Sequence, residues 1–240
     1  MIPKVIHYCW FGRGKYPDIV RKCLESWKKY CPDYEIKLWN EDNYDVQKVE
    51  YIREAYELKK WAFVSDYARL DIIYHEGGFY LDTDVELVRS LDGLRDYPCF
   101  VAADGSGINT GLGFGAEKGH PVVKAILDLY QEKHFKTSNG PDLTPCTEVN
   151  SKLFLENGYD ITTEAVADIL GVRILPPEYF SPIRGAESEL CVTSKTYGIH
   201  WGSRLWETGL TRIKAGIRMK LGPDLTNKLK HLGGVLRHRN

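Results

Sequence analysis

The stretch Trp61-Ala-Phe-Val-Ser-Asp-Tyr-Ala-Arg-Leu-Asp-Ile-Ile-Tyr-His-Glu-Gly-Gly-Phe-Tyr-Leu-Asp-Thr-Asp-Val-Glu86 decides how this chain is read. From Lys59 to His75 apolar residues fall on most sides, so the spacing predicts a largely buried helix. Gly77-Gly78 reads as its left-handed C-cap. Phe79-Tyr80-Leu81 is then a short strand that runs straight into Asp82. In an extended segment residues i and i+2 point to the same side, so the carboxylates of Asp82 and Asp84 are expected to converge.

Upstream the same alternation continues. Val5-Ile6-His7-Tyr8-Cys9-Trp10-Phe11 reads as a buried first strand followed by a Gly12-Arg13-Gly14 turn. Pro17-Asp18 opens a helix whose apolar positions Val20, Cys23, Leu24, Trp27 and Cys31 keep helical spacing, and Pro32 stops it. Tyr34, Ile36 and Leu38 alternate with polar residues as a second strand. A helix is expected near Val46 to Leu58. The order strand–helix–strand–helix–helix–strand argues for an α/β fold, a single Rossmann-like mixed sheet, mostly parallel, flanked by helices. In such sheets ligands gather at the carboxyl ends of strands, where Asp82 and Asp84 fall.

Downstream the pattern is looser. Cys99–Ala103 and Leu112–Ala116 read as strands, Pro121–Glu132 and Thr147–Glu156 as helices, and residues 136–146 as loop. Short extended pieces are expected at Val172–Leu175 and Tyr197–Trp201. There is no internal repeat and no low-complexity linker. The simplest organisation is one catalytic domain over residues 1–211 and a basic tail over 212–240.

Composition is that of an ordinary globular chain, with 240 residues, 43% hydrophobic and 27% charged. No segment approaches the roughly 20 apolar residues needed to cross a bilayer, and the N-terminus does not read as a signal peptide. Six cysteines form no C-x-x-C pair and no zinc spacing, which points to thiols in a reducing cytoplasm. From Arg212 onward eight Lys or Arg face one acid, a net of +7, while the remainder is −8, with 24 basic against 32 acidic residues. Ile213, Ile217, Leu221, Leu225, Leu229, Leu232 and Leu236 are interleaved with those basic residues at near-helical spacing. That tail is expected to lie on an anionic membrane surface, or else to pack on the acidic body.

The chemistry is carried by a few constellations. Two carboxylates at a strand end suit a divalent cation, Mn²⁺ or Mg²⁺, which also takes substrate phosphates. Asp66 and Arg69 share a helix face beside Ser65, and a buried pair there needs a reason, such as phosphate for the Arg and a sugar hydroxyl for the Asp. His200, before Trp201, offers an imidazole, which suits Mn²⁺ better than Mg²⁺. Trp10 is either core or a plate for a nucleobase. Asn109-Thr110-Gly111 is a polar loop able to hydrogen-bond a sugar. A D-x-D also occurs in haloacid-dehalogenase phosphatases, where the first Asp is the nucleophile; there it normally lies in the first strand and continues into Gly-Thr. A metal-dependent phosphohydrolase using Asp82 is therefore the alternative, and a catalytically silent sugar-nucleotide binder is a third. No P-loop, G-x-S-x-G elbow or H-E-x-x-H is present.

Taken together, Trp61–Glu86 and the opening Ile2-Pro3-Lys4-Val5-Ile6-His7-Tyr8-Cys9-Trp10 resemble glycosyltransferase family 32, the "sugar-binding region containing DXD motif" family. It includes bacterial capsule and lipopolysaccharide transferases and fungal initiating mannosyltransferases, and it shares S-D-x-x-R and G-G-x-Y-L-D-x-D with the large clostridial toxins. The resemblance spans residues 2 to 90 and then thins. It implies a GT-A fold, a nucleotide-sugar donor (UDP- or GDP-linked), a divalent metal, usually Mn²⁺, and retention of configuration. By position it implies that Trp10 stacks on the base, that Asp66 and Arg69 hold sugar and diphosphate, that Asp82 meets ribose or metal-bound water, and that Asp84 ligates the metal. The family's C-terminal His-or-polar and Ser-Trp anchor is matched, with different spacing, by His200-Trp201-Gly202-Ser203, so His200, Trp201 and Ser203 join the candidates for metal and donor contacts. A saccharide or lipid-linked saccharide acceptor at the inner face of the cytoplasmic membrane is the expected partner; nucleic acid is not.

Overall fold

A computed structural model describes residues 1–184 and 189–202. Ser203 and the 212–240 tail lie outside the described residues. The elements run β1 (Val5–Cys9), α1 (Asp18–Tyr30), β2 (Glu35–Trp39), α2 (Glu50–Glu57), α3 (Trp61–Glu76), β3 (Gly78–Tyr80), β4 (Val85–Leu87), β5 (Cys99–Asp104), β6 (Gly107–Ile108) and β7 (Phe114–Ala116). There follow α4 (Pro121–Asp128), β8 (Lys136–Thr137), β9 (Gly140–Pro141), α5 (Cys146–Glu156), β10 (Ala167–Ile169), β11 (Val172–Leu175), β12 (Ile183–Arg184), β13 (Glu189–Leu190) and β14 (Gly198–His200).

The central sheet runs β10-β11-β5-β7-β3-β1-β2, with β6 paired to β5. It is mixed and flanked by helices, but not mostly parallel. β1 pairs parallel with β2 and β3, and β11 with β5, whereas β7 is antiparallel to both β3 and β5, and β10 to β11. The reason is connection length. Parallel neighbours need a crossover of a dozen or more residues, and only a short turn through β6 separates β5 from β7. The expected first-half alternation therefore holds for β1, β2 and β3 and ends there.

One face of the sheet is covered by α2 to α5, with Tyr51, Ile52, Val64, Ala68, Ile126 and Phe154 in the core. The other is covered by α1 and the segments around Leu91 and Phe180, where Trp27 is fully buried. α1 buries Val20, Cys23 and Trp27, the stripe its spacing predicts. α2 begins at Glu50 and not near Val46, because the Asp45 side chain accepts from Gln47 N at 2.8 Å and holds a turn there. α4 stops at Asp128, short of the expected Glu132.

α3 is sunk into the molecule, as its composition demands, and it buries Asp66, Arg69 and Asp71 with its apolar residues. Gly77 ends it with φ +70 but ψ −175, so the chain leaves extended instead of in the left-handed helical conformation expected. Gly78, at φ +104, lies against β1; a Cβ there would stand 2.9 Å from both His7 Nε2 and Val5 O. The close approach brings β3 beside β1 and sets where Asp82 emerges. Four cysteines are buried, and all six are free thiols. No described helix is long and apolar enough to cross a membrane.

Candidate active site

Leaving β3, the chain does not stay extended through Asp82-Thr83-Asp84. It turns, with Asp82 N donating to Gly111 O (2.8 Å) and Val85 N to Asp82 O (3.0 Å). The two carboxylates take different side-chain partners, although His200, beside Asp84, also feels the charge of Asp82.

Asp82 faces α3. Its Oδ1 accepts from Arg69 Nη2 at 3.1 Å and from the Tyr80 hydroxyl at 3.2 Å. The same Nη2 lies 3.0 Å from Asp66 Oδ1, so one guanidinium bridges the two acids. Arg69 also lies over the Tyr80 ring, 5.1 Å from its centroid, and its Nη1 reaches Cys146 Sγ at 3.8 Å. All of this is dry on the helix side: the side chains of Arg69 and Asp66 are 3% and 10% exposed, while that of Asp82 keeps 28%. Burial pushes the Asp66 carboxyl up to about 6 despite Arg69 beside it, and the two acids hold Arg69 well above its usual range. Arg69 Nε is buried with no partner. The buried cluster therefore keeps one donor unused.

Asp84 has a different partner. Its Oδ1 lies 3.4 Å from His200 Nε2, brought there by β14, which pairs antiparallel with β4 and sets His200 opposite Val85. Burial works against a charged imidazole here, but the Asp84 carboxylate outweighs it and the His200 pKa is raised. Trp201 N donates to Asp84 O at 3.0 Å. His200 and Asp84, 116 positions apart, thus form a carboxylate–imidazole pair at the carboxyl end of β3.

The remaining candidates are placed as follows. Trp10 stands just past β1, with its ring edge-on to Tyr16 and its Nε1 donating to Gly14 O at 2.7 Å. It lines a cavity of about 300 Å³ with Tyr16, Leu38, Asn40 and Glu41, at the carboxyl ends of β1 and β2. The Ser65 hydroxyl donates back to Ala62 O on its own helix. Asn109 shapes its loop, donating to Asp104 Oδ2 and accepting from Gly111 N. The Trp201 indole N–H is taken by Glu86.

Two residues of this site, Tyr80 and Cys146, were not singled out by sequence. Gly111, named there only as part of a polar loop, also touches it and has no room for a side chain. A Cβ there would overlap Asp82 Oδ2, stand 2.8 Å from its Cγ and 3.0 Å from Arg69 Nη1. The glycine of Asn-Thr-Gly was visible as a turn residue; its closeness to Asp82 was not. Cys146 is an ordinary residue 77 positions from Arg69, and no local signal marks it.

Whether these residues fit a cation follows from the donor set. Asp84 and His200 supply a carboxylate oxygen and an imidazole nitrogen already adjacent, which suits Mn²⁺ better than Mg²⁺. Asp82 is turned to Arg69 and does not join them as a tight cluster. Among the described residues, a close cluster of three metal-binding groups occurs instead at Glu50, Glu54 and His134. There Glu54 Oε2 already accepts from Phe135 N and Lys136 N, and Glu50 is paired with Arg53. That cluster ties a loop to α2.

Residues 17–101 match the family described as "Glycosyltransferase sugar-binding region containing DXD motif". Glycosyltransferases with this motif usually bind a divalent metal. The chain is 33% identical over 139 residues to inositol phosphoceramide mannosyltransferase 3 of Schizosaccharomyces pombe, covering 52% of this chain and 36% of that protein. It is 28% identical over 158 residues to the alpha-1,4-N-acetylglucosaminyltransferase of Homo sapiens, covering 62% of this chain and 44% of that one. The chain thus spans less than half the length of these relatives. Among solved structures, a glycosyltransferase involved in the glycosylation of the major capsid of PBCV-1 overlaps 92% of this chain and 100% of its own, at 16% identity and a TM-score of 0.47.

Proposed function

We propose that this protein is a retaining GT-A-type glycosyltransferase that moves a hexose from a UDP- or GDP-linked donor to a saccharide or lipid-linked saccharide acceptor. The observation that carries the reading is the pairing of Asp84 with His200 beside the buried Asp66–Arg69–Asp82 cluster. Trp10 and its cavity take the nucleobase. Asp66, whose carboxylate lies in the buried cluster, accepts from sugar hydroxyls, and Arg69, with Nε unused, meets an oxygen of the donor.

In the transfer the bond between the sugar anomeric carbon and the phosphate oxygen breaks. A bond forms from that carbon to the acceptor oxygen. The electron pair stays on the departing diphosphate, and the acceptor proton passes to its oxygen. A divalent cation, Mn²⁺ by the donor set of Asp84 and His200, supplies charge neutralisation for that diphosphate when bound. Arg69 adds fixed positive charge at the same place, worth most in a dry site. Retention, and a front-face course in which the leaving oxygen assists deprotonation, rest on the family resemblance. So does a role in surface-polysaccharide assembly at the cytoplasmic side of a membrane, with the 212–240 tail on the lipid. Truncation after Leu210 tests the tail: the shortened protein should leave the membrane fraction.

The central test is thermal shift with UDP- and GDP-sugars, with and without Mn²⁺. Stabilisation should require sugar nucleotide and metal together, by mass action on the folded state. Asp84→Ala should stay folded and lose the response. Stabilisation by the nucleotide sugar alone, unchanged in Asp84→Ala, would overturn the metal reading. Phosphate release without any acceptor would favour the hydrolase, although the Asp82 carboxylate is engaged by Arg69 and Tyr80.

A further inference from the structure

Glu86 follows the acid triplet by two residues and lies in the middle of β4, paired across to Ile199. It is an acid beside a metal-binding triplet, yet its carboxylate is already committed. Oε2 accepts from Lys22 Nζ at 2.6 Å and from the Trp201 indole Nε1 at 3.0 Å. The Lys22 ammonium also stands 4.8 Å from the centroid of the Trp201 ring, so the three side chains close a triangle. Each comes from a different part of the chain: Lys22 from α1, Glu86 from β4, and Trp201 from the residue after β14.

We propose that Lys22, Glu86 and Trp201 form a latch that positions His200 against Asp84. The backbone of that segment is held by its ladder to β4 and by His200 N, which donates to Phe180 O at 2.9 Å, but neither contact fixes the imidazole ring. β14 meets β4 over only three residue pairs, and His200 is the last of them. Short ladder ends open readily unless side chains close them. The latch acts one residue beyond, with Trp201 N bonded to Asp84 O and its indole bonded to Glu86. α1 supplies the foundation. Trp27 Nε1 donates to Val85 O at 2.7 Å, and Ser26 Oγ accepts from Leu87 N at 2.9 Å, so the helix that carries Lys22 also fixes β4. The backbone of Asp84 and the segment bearing His200 are thereby referenced to one rigid helix.

Glu86 is accordingly a positioning residue and not a third metal ligand, and Trp201 acts through His200. This rests on the metal reading of Asp84 and His200 given above. Groups that orient metal ligands typically change metal affinity by about 10–100-fold when removed. The test is Mn²⁺ titration of the full chain, followed by electron paramagnetic resonance of the free ion, with amide hydrogen exchange of residues 197–202 measured on the same samples. Glu86→Ala and Trp201→Phe, the latter keeping a ring but no N–H, should each weaken Mn²⁺ binding by about 10-fold or more and speed exchange at Ile199–Trp201. Glu86→Gln keeps an acceptor for the indole and should recover most of that loss.

The opposite pattern overturns the latch. If Glu86→Gln loses Mn²⁺ as fully as Glu86→Ala while Trp201→Phe binds normally, Glu86 is a ligand. Faster exchange with unchanged Mn²⁺ affinity would reduce the triangle to a fold contact. If the wild-type chain bound no Mn²⁺, the metal reading would fall, while unchanged exchange in Glu86→Ala would separately sink the latch.

Discussion

Two buried polar knots sit on either side of β3, and they are built on opposite principles. On the β1 side His7, 1% exposed, accepts from Trp39 Nε1 through Nδ1 at 3.0 Å and donates through Nε2 to Gly77 O at 2.9 Å. Both ring nitrogens are used, the ring is neutral, and burial pushes its pKa down to about 4. On the α3 side Arg69 joins Asp66 and Asp82 in a charged cluster that leaves Nε without a partner. A knot that only holds a sheet together satisfies every atom and sheds its charge. The second keeps its charge and an idle donor in a dry place, which is what the proposed donor contact would use.

Removing the charge from the second knot should have the largest effect. Arg69→Ala strands two carboxylates, and breaking a buried pair by deleting one partner costs about 3–5 kcal/mol. Urea unfolding at pH 7 measures it. Asp66→Asn/Arg69→Met, which removes the Asp66–Arg69 charge pair at similar volume, should recover part of that stability while donor binding stays lost. If Arg69→Ala costs under about 1 kcal/mol, the cluster is wetter than its burial implies.

The first knot makes a prediction with a sign. A folded pKa of about 4 against an ordinary 6.5 means that the unfolded chain binds the proton and the folded one refuses it. Stability from His7 is complete above pH 6.5 and is lost as pH falls toward 4, by about 3 kcal/mol in all. His7→Gln should flatten that part of the stability profile measured by chemical denaturation between pH 7 and 4. An unchanged acid slope would show that His7 is not its source.

Gly111 tests whether the charged knot is as tight as its distances imply. Its φ is not one that demands glycine, so only the space matters, and Gly111→Ala should displace Asp82 and Arg69. We expect a loss of about 1–3 kcal/mol, the usual range for overpacking, and a larger loss of donor binding. Gly105→Ala, with nothing within 4 Å, serves as the control. Equal thermal shifts with donor for both variants would mean that Asp82 need not stay where it is.

These two knots also mark what the sequence could disclose. The buried α3, the strand that follows it and the Asp66–Arg69 pair were legible because the signals are local: helical spacing, i and i+3, a double glycine. The separate partners of Asp82 and Asp84 were not, because a turn bonded to Gly111 replaces the extended geometry that the spacing presumed. β4 is three residues long and finds its partner more than 100 positions away, so neither periodicity nor turn chemistry announces it. His200 was reachable as a residue type, but its contact with Asp84 required the ladder. The antiparallel β7 was hidden for a related reason: only the length of the β5–β7 connection dictates its direction.

The smallest expected effect concerns Ser65, whose place in Ser-Asp-x-x-Arg invites a donor contact. The hydroxyl donates to Ala62 O at 2.8 Å, a bond within its own helix turn. Such local bonds replace what solvent would otherwise supply and add little to a helix. Ser65→Ala should therefore stay within about 0.5 kcal/mol of the wild type. Donor affinity, read as the concentration dependence of the thermal shift, should move by less than about threefold, which is under 1 kcal/mol. The contrast with Asp66 is then internal to one helix turn: adjacent residues, one bonded to its own backbone and one buried in charge. A tenfold loss in Ser65→Ala would show that the hydroxyl turns to the donor, and the boundary between scaffold and site would lie one residue earlier than the distances place it.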